Sequence, residues 1–161
     1  MERIWSPWRM EYIRAARDEE GGCIFCDLPK RGDDAAARIL ARRPLAFAML
    51  NTYPYNPGHL MVAPFRHTGE IEDLSDEELL DVDKLLQASV RVLREEMEPQ
   101  GFNVGMNLGR VAGAGIPDHL HWHVVPRWGG DTNFMPVVGE TRVLPELLEE
   151  TYARLAPRFA G

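Results

Sequence analysis

The 161-residue chain has no basic surplus: 18 lysines and arginines stand against 25 acidic residues, a formal net charge of −7. A protein that grips a nucleic-acid backbone ordinarily presents a positive surface, so no nucleic-acid partner is expected. Net charge does not exclude a small phosphorylated ligand held in a local, donor-rich pocket. Long apolar runs are missing too, and nothing approaches the roughly 20 residues of a membrane span. The first residues, MERIWSPWRMEYIRAA, scatter charge where a leader would need an apolar centre. The expectation is a cytoplasmic protein with no membrane partner. Cysteine is scarce, at Cys23 and Cys26 alone, and in a reducing compartment a structural disulfide between them is disfavoured. What remains is ordinary for a globular chain, 45% hydrophobic and 27% charged, without repeats, and long enough for one domain over 1–161 with a sizeable core.

Local patterns divide that domain. Residues 1–22 read as an aromatic arm carrying Trp5, Trp8 and Tyr12. RILARRPLAFAML, from Arg38 to Leu50, reads as two short strands turning near Arg43-Pro44, and Leu60 to Ala63 as a third. Ser75 with Glu78 forms a capping box that opens a helix running to Met97. Leu79, Val82, Leu86, Val90, Leu93 and Met97 supply its apolar stripe. Strands follow near Phe102 to Leu108 and Leu120 to Pro126, separated by the small-residue loop GRVAGAGIPD. Residues 129–161 read as a loop and a C-terminal helix starting near Pro145. Short strands around one long helix indicate an α+β fold with a mainly antiparallel sheet.

The chain has only five histidines, yet three fall at every second position of HLHWHVVPRW, residues 119–128. In a strand, alternate side chains share a face, about 6–7 Å apart by the usual rise. His119, His121 and His123 would then line a cleft while Leu120, Trp122 and Val124 face the core. Three readings stand: a polar face that happens to use histidine, a three-histidine metal site, and proton transfer or nucleophilic catalysis. Immediately upstream, Ala112 to Gly115 are all glycine or alanine, small enough for backbone N–H groups to close around an anion. A phosphate beside a row of imidazoles points to phosphoryl or nucleotidyl transfer.

The order His119-Leu120-His121-Trp122-His123-Val124-Val125 resembles the signature of the histidine triad family of nucleotide hydrolases and transferases. AFAMLNTYPYNPGHLMVAPFRH and GFNVGMNLG resemble that family's strand–loop–strand segment and the strand leading to its phosphate loop. The resemblance implies that His121 attacks the α-phosphorus of a nucleotide to give a nucleotidyl-histidine. His123 would then bind the phosphate and the leaving oxygen. It implies that Asn51 binds ribose, that His59 supports the catalytic imidazole, that Asn107 reaches the phosphates, and that N–H groups from Ala114 through Gly115 to Ile116 meet the developing charge. Taken alone, Asn51, His59 and Asn107 read equally as turn residues.

Cys23-Ile24-Phe25-Cys26 by itself is compatible with a redox pair. Several members of this family hold a structural zinc with such a pair and two histidines, here His67 and His119. One departure stands out: Ala114-Gly115-Ile116 occupies the place of Gly-Gln-Ser or Gly-Gln-Thr in many members. The flanks IWSPWRMEYI and PRWGGDTNFMPVVGETRVLPELLEETYARL resemble the branch that phosphorolyses diadenosine tetraphosphate. These features imply a dinucleoside polyphosphate or other adenine nucleotide as substrate, with inorganic phosphate as acceptor. Magnesium would accompany the polyphosphate, Trp128 would stack on a base or close the pocket, and Arg127 is placed on the face opposite the triad. The family also implies a homodimer or higher assembly through the long helix and an adjacent strand.

Overall fold

The computed structural model describes residues 22–131 and 146–159. The aromatic arm up to residue 21, residues 132–145 with the expected helix start near Pro145, and residues 160–161 lie outside the described residues. In chain order the elements are α1 (Ile24–Lys30), α2 (Asp34–Ala37), β1 (Ile39–Arg42), β2 (Ala46–Leu50), β3 (Leu60–Pro64), a 3₁₀ turn (Ile71–Asp73), α3 (Asp76–Met97), β4 (Gly101–Met106), β5 (Trp122–Arg127) and α4 (Leu148–Phe159). The five strands form one antiparallel sheet in the order β1-β2-β3-β5-β4, the α+β architecture expected from sequence.

Strands β2 and β3 show no alternation, because both their faces are covered and all ten of their residues are buried. On one face Ala46, Ala48, Leu50, Leu60, Val62 and Val124 pack against Val82, Leu85, Val92 and Leu93 of α3 and Leu155 of α4. On the other face Phe47, Met49, Met61 and Ala63 pack against Phe25 of α1 and Ala37. The short helices α1 and α2 were not legible in sequence. Asp33 caps α2 by accepting from the Ala36 N–H, and Arg38 ends it in a left-handed turn at φ 55°.

The capping box is present at α3: Ser75 accepts from the Glu78 N–H, and Glu78 accepts from the Ser75 N–H. The buried stripe, however, is rotated from the expected one. Val82 and Leu93 are buried as expected, but Leu85 and Val92 join them, while Leu86, Val90 and Met97 are half-buried. The cause is that two carboxylates share the inner margin of the helix. Asp81 accepts from Arg43 at 2.7 Å and from the Leu45 N–H at 2.9 Å, and Glu78 takes Arg66 in a two-point pair. Both carboxyls are held below the usual range, first by those arginine hydrogen bonds. Among the described residues no helix is long and apolar enough to cross a membrane.

Candidate active site and metal centre

The strand that carries the histidine row starts later than expected. β5 begins at Trp122, so only His123 lies in the paired strand, opposite Met61 on one side and Gly105 on the other. His119 and His121 precede it outside the paired strand, where Leu120 donates its N–H to the Thr68 carbonyl at 2.8 Å. Trp122 and Val124 do turn to the α3 face of the sheet. The His121 and His123 rings meet edge to face with centroids 5.0 Å apart, closer than strand rise alone suggests.

Each imidazole has a different partner, and the partners sort the roles. His119 is buried, and its Nε2–H donates to the Pro64 carbonyl at 2.9 Å. That leaves its Nδ1 as a lone pair, which lies 3.3 Å from Cys23 Sγ, 3.5 Å from Cys26 Sγ and 3.2 Å from His67 Nδ1. Cys26 Sγ is 3.4 Å from His67 Nδ1, and all four ligand atoms lie within 4.8 Å of one another. Tetrahedral Zn–S and Zn–N bonds of normal length put neighbouring ligand atoms about 3.3–3.8 Å apart, so this set fits zinc. The carbonyl behind His119 supplies the outer hydrogen bond that fixes a ligating tautomer. The two cysteines are free thiols, not a disulfide. Burial pushes the Cys23 thiol up to about 11, and burial also holds His119 down to about 4. A bound dication would displace the Cys23 proton and accept the neutral His119 nitrogen. A metal held by all three triad histidines is not supported, since His121 and His123 are turned to other partners.

His121 is buried, and its Nδ1–H donates to the His119 carbonyl at 2.8 Å. Its Nε2 is therefore the lone-pair nitrogen. Burial lowers its proton affinity, so the ring is neutral near neutral pH, as a nucleophile must be. At His59 the Tyr55 N–H donates to Nδ1 at 3.0 Å, so the proton sits on Nε2 and is given to His123 Nδ1, 3.0 Å away. His123 in turn carries its own proton on Nε2. A lone-pair nitrogen on one ring and an N–H on the next is a pairing suited to attack on phosphorus and to hydrogen-bond stabilisation of a leaving oxygen. His59→Phe keeps the ring and its stacking on Tyr55, 4.9 Å away, but removes the bond that sets the His123 tautomer. Turnover is expected to fall about 10- to 100-fold with the thermal midpoint nearly unchanged, checked by steady-state kinetics and a melting curve on the same preparation.

A cleft of ≈540 Å³ opens beside His123, a size suited to a small ligand. Gly105 forms part of its floor, and a Cβ there would meet nothing within 4 Å. Asn107 and the loop residues Ala112 and Gly113 line one end, and Asn107 donates weakly to the Gly113 carbonyl at 3.4 Å. Within the loop, the Ala114 N–H is closed on the Gly109 carbonyl at 3.2 Å. Gly115 is half-buried, and Ile116 packs toward the Phe25 cluster. Asn51, just after β2, accepts from the Tyr53 N–H at 2.8 Å and sets its amide nitrogen 3.5 Å from His59 Nε2. Trp128 does not line the cleft; its Nε1–H donates to the Met97 carbonyl at the end of α3.

Arg127 is corrected. Counting by twos from His121 puts it on the triad face, and it lines the far end of the cleft with Asn56 and Asn103. Asp131 grips it at 2.6 and 2.9 Å, and it donates to Asn103 Oδ1 at 2.8 Å. Sequence reading also missed Phe25, Tyr55, Asn103 and Gly105. For Asn103 and Gly105 a signal was present, since they share the parity of Asn107, one residue past β4.

A family model described as "HIT domain" matches residues 33–130. An AP-4-A phosphorylase of Mycobacterium tuberculosis is 44% identical over 99% of this chain and 85% of its own length. The adenosine 5'-monophosphoramidase of Schizosaccharomyces pombe is 35% identical over 65% of this chain and 74% of its own. Among solved structures, a Zn-bound histidine triad family protein from Mycobacterium smegmatis superposes with a TM-score of 0.69 at 28% identity, covering 86% of this chain and 94% of that one. The family model and these relatives place the chain plainly: it belongs to the histidine triad family.

Proposed function

We propose that this protein is a nucleotidyltransferase that phosphorolyses diadenosine tetraphosphate to ATP and ADP through a nucleotidyl-histidine. The observation that carries the chemistry is the hydrogen-bond chain that leaves a lone pair on His121 Nε2 and a proton on His123 Nε2. In the first step His121 Nε2 bonds to the α-phosphorus, and the bond from that phosphorus to the bridging oxygen breaks. His123 donates its Nε2–H as a hydrogen bond to that oxygen, which takes up the charge of the broken bond as ATP departs. In the second step an oxygen of inorganic phosphate attacks the same phosphorus, the P–N bond breaks, and ADP leaves with His121 restored. Asn51 remains assigned to ribose, and Asn107 with the Gly115 and Ile116 N–H groups to the phosphates; the Ala114 N–H, closed on the Gly109 carbonyl, is withdrawn from that set. Trp128 is assigned to the wall that ends α3 rather than to a base.

The choice of phosphate as acceptor rests on the relative named AP-4-A phosphorylase and on the loop, where Ala114-Gly115-Ile116 has neither glutamine nor hydroxyl to serve water. Hydrolysis is the second reading, favoured by the phosphoramidase relative. Product analysis separates them. Diadenosine tetraphosphate in saturating phosphate is expected to give ATP and ADP, faster than without phosphate. AMP as the dominant partner product would assign the protein to the hydrolases.

Zinc at Cys23, Cys26, His67 and His119 has a structural place in this reading, holding α1 to the sheet beside the triad. Magnesium enters only as a counter-charge on the polyphosphate. A reducing cytoplasm suits two metal-binding thiols. A homodimer would use the outer margin of α3, where Leu86 and Val90 stay half-buried, and the edge strand β4, where Val104 is exposed.

A further inference from the structure

The candidate zinc-ligand set and the turn between its cysteines touch His121 at two points. Phe25 lies between Cys23 and Cys26 in the first turn of α1, where the N–H groups of Cys26 and Asp27 both donate to the Cys23 carbonyl at 2.9 Å. Its side chain is 0% exposed, and its ring stacks on the His121 imidazole with centroids 4.7 Å apart and planes 27° apart. The same ring meets His119 at 5.2 Å. The second contact is the His119 carbonyl, which accepts from His121 Nδ1–H while the His119 side chain faces the cysteines. One contact fixes the plane of the His121 ring, and the other fixes its rotation within that plane. Both come from residues of the ligand set or the turn between its cysteines. An imidazole needs both fixed if Nε2 is to point along the line of attack on phosphorus, because misplacement by about 1 Å can cost roughly 100-fold in rate.

We infer that Phe25 is a positioning residue for His121, and that the Cys23–Cys26–His67–His119 cluster acts on the reaction through Phe25 and the His119 carbonyl as well as holding the fold. The inference rests on His121 being the nucleophile. A pin that merely tied α1 to the sheet would need no aromatic ring against the reacting imidazole.

The test uses the full chain loaded with zinc and two apolar variants without an aromatic ring, Phe25→Leu and Phe25→Met. Four quantities are read on each: zinc per chain, the dissociation constant for AMP, the steady-state kcat and KM, and the single-turnover rate at which labelled AMP becomes attached to the protein. The expected result is zinc at about one per chain and AMP affinity within about threefold of the parent. The attachment rate and kcat should fall 10-fold or more, with KM little changed. An attachment rate within twofold of the parent, at full zinc, would overturn the inference. Loss of zinc or of the fold in both variants would overturn it too, by assigning Phe25 to the core of the metal loop. Failure of the parent protein to form any adduct would instead remove the covalent reading itself, so the two failures are distinct.

Discussion

His121→Ala is expected to lower turnover by about 10³-fold or more while leaving the fold and nucleotide binding in place. The first half follows from the hydrogen bonds: the Nδ1–H donated to the His119 carbonyl makes Nε2 the one lone pair this ring presents. No neighbour can take over. His119 Nδ1 faces the cysteines, and His123 Nδ1 faces His59. The second half follows from the walls of the cleft, which are built by β4, the loop at Ala112-Gly113 and the far end of β5 rather than by His121. AMP affinity should therefore stay within about threefold of the parent, since the lost contacts are those of one imidazole. Rate measurement, calorimetric titration with AMP, and gel detection of labelled protein check the three parts. Near-parental turnover in His121→Ala would sink the covalent mechanism. A parent protein that binds AMP but never becomes labelled would point to a nucleotide-binding regulatory protein.

The second large effect is on stability. Purified protein is expected to contain about one zinc per chain, and removing it, by chelation or by Cys26→Ser, should lower the thermal midpoint by on the order of 10 °C. The zinc-free state should also show a narrowed range of pH stability. Burial holds His119 neutral down to about 4, below its ordinary 6.5, so below pH 6.5 the unfolded chain binds a proton that the folded one refuses. That part of the stability is complete above pH 6.5 and is lost as pH falls toward 4. Burial raises the Cys23 thiol to about 11 from 9.0, so above pH 9 the unfolded chain sheds a proton that the folded one keeps. That part is complete below pH 9 and is lost as pH rises toward 11. Zinc removes the second effect, because it binds the thiolate, and metal uptake in weak buffer should release protons. Melting curves from pH 4 to 11, with and without zinc, test both signs. A chelated protein with an unchanged midpoint, or an oxidised Cys23–Cys26 pair in a metal-free preparation, would return these residues to the redox reading.

Much of this was legible because local rules and the tertiary demand coincide. The short apolar runs AFAML and LMVAP, bounded by turn residues, read as strands, and the structure covers both their faces. Ser75 and Glu78 satisfy each other's backbone donors wherever the helix packs, so the start of α3 was readable without knowing its neighbours. The same holds for the parity of His121 and His123. That parity extends to Arg127, whose place in the cleft was readable and was misread. The buried face of α3 was not readable, because Glu78 and Asp81 are drawn inward only by Arg66 and Arg43 from other segments. A helix of seven residues containing a proline, such as α1, likewise owes its existence to the sheet beneath Phe25 rather than to its own propensity.

The sequence by itself determined the identity and order of the chemical groups: three histidines at period two, a Cys-x-x-Cys upstream, small residues in the loop, and the strands and long helix that carry them. Covalent spacing and backbone periodicity suffice for that. Only the tertiary structure decided which nitrogen of each imidazole holds the proton, since that depends on carbonyls and rings brought from far along the chain. Pro64 turns His119 toward the cysteines, the His119 carbonyl leaves the lone pair of His121 on Nε2, and Tyr55 works through His59 to set His123. Identical side chains at positions 119, 121 and 123 thereby present a lone pair to the cysteines, a lone pair at Nε2 and an N–H at Nε2, because a tautomer is fixed by hydrogen-bond partners and not by residue type.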